Sequence, residues 1–147
     1  MRGSQAARQV QRIKGAIAKA AILGQDRAAK EIKQYSVSLS SGKLSTAWLR
    51  KDDHPYATRH GAQQNLSGLI NRQSGVLKAS WEIRKVQTAF SAMPIIVVVN
   101  RASYVQYVVF GTSKMVPRRI DLNIESRWGQ ILEKYVLAEI QRIGMTK

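Results

Sequence analysis

The chain has no cysteine at all. Disulfides and thiolate metal sites are therefore excluded, a composition that suits an intracellular folding environment. Histidine is nearly as scarce, with two copies, and only nine Asp and Glu stand in 147 residues. Few groups are left for general acid and base work. No window approaches the ~20 consecutive apolar residues of a membrane span. The N-terminus has basic residues, but Arg8, Arg12, Lys14 and Lys19 interrupt any continuous apolar run, so it does not read as a signal peptide.

What is abundant is positive charge. Twenty-four Lys and Arg against nine acids leave a net charge of +15. Residues 1–35 hold eight Lys/Arg and two acids, residues 76–119 hold seven and one, and residues 120–147 balance at four and four. A field localised in this way attracts polyanions, nucleic acid first among them, or an acidic protein surface, by steering rather than by base reading. The simpler account is a solvated basic face. With 44% hydrophobic residues the length fits one domain, 1–147, with a core of its own.

Residues 5–35 predict one long amphipathic helix. At 100° per residue Val10, Ile13, Ile17, Ala20, Ala21, Gly24, Ala28, Ile32 and Tyr35 share one side. Arg8, Arg12, Lys19, Lys30 and Lys33 gather opposite, a cationic face that makes them candidate contacts to DNA. Gly24, followed by Asp26 as a possible N-cap, could break the helix, but the stripe stays in phase across it and predicts continuity with at most a kink.

Residues 36–75 read as a loop-rich insertion, opening with a polar connector of Ser36, Ser38, Ser40, Ser41 and Gly42. Three catalytic patterns fail there. A phosphate-binding loop around Gly42 and Lys43 needs a glycine where Val37 stands and Ser or Thr where Leu44 stands. His54 and His60 with Asp52 and Asp53 have no recognised metal-ligand spacing, and structural roles account for them more simply. Gly68 and Gly75 do not flank a serine as a nucleophile elbow requires. The sequence is therefore read as that of a non-enzyme with no cofactor.

From Val76 to Phe90 apolar residues alternate with one phase slip near Lys85, which predicts strand with a bulge or turn. The β-branched run Ile95 to Val99, bounded by Pro94 and Asn100, predicts a central strand covered on both sides. Tyr104, Val105, Val108 and Val109 recur at helical spacing, with Ser103 as a candidate N-cap and Gly111 as the left-handed C′ residue. The alternative for so short a run is a further strand. Residues 121–143 predict a second amphipathic helix with Ile124, Trp128, Ile131, Leu132 and Tyr135 on its packing face. Leu137 and Ile140 fall off that stripe: contact with a neighbouring protein is one reading, and burial against the first helix is the plainer account. The class is α+β, with long N-terminal and C-terminal helices packed on a small, mostly antiparallel sheet.

Ser74-Gly75-Val76-Leu77-Lys78-Ala79-Ser80, then strands, then Tyr104 through Phe110-Gly111-Thr112 and the segment Pro117-Arg118-Arg119 before the last helix, follow one another in a telling order. Over about residues 70–140 this resembles the neck and tail-completion proteins, the head-tail joining components of long-tailed phages. Those show a Thr/Ser-Gly-x-Leu-x-x-Ser turn entering a strand, a Tyr-rich turn ending in Phe-Gly-Thr, and a Pro/Arg segment before a final helix. One departure is Val109, where the family commonly has glutamate, so no role of that carboxylate transfers.

The resemblance implies assembly rather than catalysis: a homo-oligomeric ring in the virion's neck or tail, built in the host cytoplasm. Its partners would be connector or stopper proteins, tail-tube or tail-terminator proteins, and double-stranded DNA in the lumen. Within it, Ser74, Gly75, Leu77, Ser80, Tyr104, Phe110, Gly111 and Thr112 are motif and turn positions. Tyr104, Tyr107 and Phe110 are expected in the core, and Lys114, Arg118 and Arg119 are expected to project from an exposed loop toward DNA or a neighbouring subunit.

Overall fold

The computed structural model describes residues 2–42, 75–87, 93–112 and 117–144. In chain order these form α1 (Arg2–Leu39), α2 (Val76–Ala79), β1 (Trp81–Val86), β2 (Ile95–Asn100), α3 (Val105–Phe110) and α4 (Ile120–Arg142). The arrangement is the expected α+β one, with two long helices and an antiparallel strand pair.

Helix α1 has no proline in 38 residues. It is rich in Ala, Gln, Lys and Arg, residues that lose little freedom in a helix. It extends about 57 Å at 1.5 Å per residue. It also runs past the expected end at Tyr35, because the serines that read as a connector serve the helix instead. Ser36 Oγ donates to Ile32 O (2.8 Å), Ser38 Oγ to Tyr35 O (2.6 Å), Ser40 Oγ to Ser36 O (2.9 Å) and Ser41 Oγ to Val37 O. These hydroxyls engage the carbonyls of the last turns, adding side-chain donors to the backbone bonds there. Ser36 and Ser40 are fully buried.

Helices α1 and α4 pack antiparallel. Gly24 lies against Val136, Glu31 pairs with Lys134, Ile32 clusters with Ile131, and Arg127 stacks over Tyr35 at 4.4 Å. The buried positions of α1 are Ala20, Gly24, Ala28, Ile32 and Ser36, continued by Ser40, together with Ala29 and Leu39. The first six recur every fourth residue, one oblique ridge of mostly small side chains. Small residues let the partner backbone come close. A Cβ on Gly24 would sit 2.7 Å from Val136 Cα, so this glycine marks a close approach rather than a kink.

The strands pair with Trp81 opposite Asn100, Ile83 opposite Val98 and Val86 opposite Ile95. The alternation expected from Val76 is a strand only from Trp81. Before it, Gly75 takes a left-handed φ of 84° and residues 76–79 make one helical turn. Strand β2 is not covered on both sides: among its residues only Ile96 is buried, and Ile95 is exposed. A β-branched run marks strand propensity, whereas two-sided cover needs layers that the described residues place on one side only. The core joins Leu39, Leu77, Trp81, Ala102, Val109 and Ile120, and continues through Val98 and Ile124 into the Ala28, Ile32, Ile131 cluster. Trp81 Nε1 donates to Ser40 Oγ at 2.9 Å, tying the sheet to the end of α1.

Candidate assembly and polyanion surface

Because α4 ends at Arg142 and runs antiparallel, it covers α1 only from about Ala20 onward. Ahead of that point the helix continues with little cover from the other described residues. Residues 5–15 are all exposed, and of residues 16–19 only Ala16 and Ala18 are half-buried. Val10, Ile13 and Ile17 are 49%, 41% and 43% exposed. They were expected to pack, and among the described residues nothing covers them: the periodicity located the apolar face, while the helix supplying its cover stops short.

The opposite face bears Arg8, Arg12, Lys19 and Lys30, all exposed. They fall within about 40° of one another at 100° per residue. Lys33 is half-buried and sits at the edge of this group. None of the five forms an ion pair among the described residues. Several of the described acids are engaged by other cations: Asp26 by Lys85 at 2.8 Å, Glu82 by Arg84 and Arg101, and Glu139 by Arg27 at 2.6 Å. Glu139 is buried, and the Arg27 contact on Oε1 is a charge contact without hydrogen-bond alignment. Arg8, Lys19 and Lys30 stand eleven residues apart, three turns, so their charges repeat about every 16.5 Å on one line.

In the segment from Tyr104 to Ile120 the structure corrects the aromatic expectation. Tyr104, Tyr107 and Phe110 are exposed, Phe110 by 64%. Val109, buried, and Val105 and Val108 are the residues that hold α3 against the core. The helix was expected and is present, with Tyr104 rather than Ser103 at the N-cap and no side-chain cap. Gly111 has φ 75° and ψ −179°, a region open essentially to glycine alone, rather than the left-handed helical well.

Arg118 overturns its assignment. It is 3% exposed, and its backbone N–H donates to Val108 O at 2.9 Å. Residues 117–120 alternate exposed, buried, exposed, buried, so the segment turns Arg118 inward alongside Ile120 and leaves Arg119 outside. Arg119 is bound intramolecularly: its Nη2 lies 2.8 Å from Asp121 Oδ2, and its guanidinium sits 5.6 Å from the Phe110 ring centre. Hydrogen bonding from Arg119 is the main cause holding the Asp121 carboxyl below its ordinary range. Lys114 lies outside the described residues, as do Ser74, His54, His60, Asp52 and Asp53.

The glycine-serine motif has a structural purpose. Gly75 supplies the positive φ, Leu77 enters the core, and Ser80 Oγ closes the turn on Val76 O at 2.7 Å. Asn100 Nδ2 donates to Leu77 O at 2.8 Å and so fastens the end of β2 to the same turn. Thr112 is half-buried just beyond Gly111. Sequence reasoning passed over the apolar groove lined by Trp81, Ile96, Val97, Ile120, Ile124 and Trp128, about 460 Å³ in volume. Its signal was available: two tryptophans, one opening β1 and one on the packing face of α4.

No helix among the described residues is long and apolar enough to cross a membrane. Searches of family models, of curated proteins and of solved structures return no match to this chain.

Proposed function

We propose that this chain is a structural component of a tailed-phage virion, one subunit of an oligomeric ring at the head-tail junction through which DNA passes. The observation that carries the reading is the projecting half of α1, apolar on one side through Val10, Ile13 and Ile17 and cationic on the other. An apolar stripe that the described residues leave uncovered suits a protein neighbour, and a cationic line without ion pairs among the described residues suits a sequence-indifferent contact with phosphates. The ordered motifs from Gly75 to Arg119 support the same reading. Neck, completion and terminator positions all lie within it.

The test is the mass and shape of the purified protein, alone and with connector or tail-tube proteins, by sedimentation and by image averaging. Closed rings of one size are expected. A protein that stays monomeric with every such partner overturns the proposal.

The Arg8, Arg12, Lys19 and Lys30 face also favours a second reading, a nucleic-acid-binding protein acting alone. That reading requires the monomer to bind duplex DNA, with log K falling against log salt by about 0.9 per phosphate contact. In the ring reading, binding at physiological salt appears only with assembly.

A further inference from the structure

The free stripe of α1 has a complement in its own chain. The groove beside Trp81 and Trp128 is open and predominantly apolar. Its charged lining residues are Asp121, already held by Arg119, and Glu125, exposed and without an ion pair among the described residues. Residues 1–25 of the chain hold five Lys/Arg and no acid. Val10, Ile13 and Ile17 follow the i, i+3, i+7 spacing by which an amphipathic helix seats its anchors in an apolar groove, and Lys14 lies beside them. An apolar cationic helix thus matches an apolar groove that carries one carboxylate, Glu125, without an ion pair among the described residues.

The two surfaces cannot meet within one molecule. Ile32 lines the groove and belongs to α1 itself, in the same unbroken helix as Ile17. Fifteen helical residues hold them about 22 Å apart. We infer that the projecting half of α1 seats in the groove of a second copy of this chain, with Lys14 near that copy's Glu125. Such a contact joins two different patches head to tail. Each joined pair keeps one free helix and one free groove, and the contact generates a ring when the rotation closes. The inference rests on the ring reading above and names the surfaces that build it.

The absence of native cysteine makes the test direct. In the full chain, Ile13→Cys with Val97→Cys places one thiol on the stripe and one in the groove. Arg12→Cys with Val97→Cys moves the first thiol to the cationic face. A short bismaleimide is expected to give intermolecular links between positions 13 and 97 and a ladder of covalent oligomers, with at least about tenfold less product from the 12 and 97 pair. Ile13→Glu with Ile17→Glu is expected to weaken association at least about tenfold, with circular dichroism unchanged, since both side chains are exposed in the single chain. Rings seen by imaging without the link between 13 and 97, or with equal linking from position 12, overturn the groove assignment and leave the ring standing. Absence of any oligomer overturns both.

Discussion

Residues 5–19 and residues 20–39 belong to one helix, share one apolar phase and contain similar residue types, yet only the second half is substantially buried. From Ala20 onward α4 lies alongside, and the oblique row Ala20, Gly24, Ala28, Ile32, Ser36 closes against it and the sheet. Continued backward, the same row reads Ala16, Arg12, Arg8, so its chemistry changes from small to basic just beyond the end of α4. Amphipathicity therefore identifies a face that wants cover, and the cover is a separate fact. In the first half we assign it to a second copy of the chain.

Paired substitutions in the two halves separate these roles. The largest contrast is expected between Ile32→Ala and Ile17→Ala. Ile32 is buried among Ala28 and Ile131, and its truncation should cost about 2–5 kcal/mol in urea unfolding of the monomer. Ile17→Ala should stay within about 0.5 kcal/mol. Equal losses would mean that the projecting half is packed even in the single chain.

Next are the glycines. Gly24→Ala forces a Cβ against the Val136 backbone and should destabilise by about 1–3 kcal/mol. Gly15→Ala meets nothing within 4 Å and should raise helix content, gaining up to about 1 kcal/mol. Thermal melts of both variants give the comparison, and a stabilising Gly24→Ala would remove the close contact from the account.

The smallest effect concerns charge. The cations of α1's outer face have no ion pair among the described residues, whereas Arg119 is held by Asp121. Because the folded Asp121 carboxyl is shifted below its ordinary value of 3.8, the pair contributes stability above that pH. The contribution is lost as pH falls through the lower folded value. Both partners are more than a third exposed, so solvent and salt screening keep the effect small. Asp121→Asn should flatten that part of the stability profile against pH, while Arg12→Gln should leave it unchanged. An identical profile for wild type and Asp121→Asn would show the pair contributes nothing.

Both long helices, the packing stripe of α4 and the short helix ending at Gly111 were legible because each depends on residue spacing within one segment. The failures share one cause. Ser36 and Ser40 read as a polar connector because hydroxyls favour both turns and helix carbonyls, and the Trp81 that holds Ser40 in place is 41 residues away. Tyr104, Tyr107 and Phe110 were expected inside by size, but α3 has a single inward face and the valines occupy it. Arg118 and Arg119 look equivalent in a basic run, yet a two-residue alternation puts one inside and one outside.

The sequence by itself determined the α+β class, the phase of each apolar face and the excess of positive charge, because helical and strand periodicity and ionisation are properties of local chain chemistry. Only the tertiary structure decided that Gly24 must be glycine, that Arg118 lies inside, and that the cover α4 gives the apolar stripe begins at about Ala20. Each of those depends on where a second surface lies, and burial belongs to the pair of surfaces rather than to either segment alone.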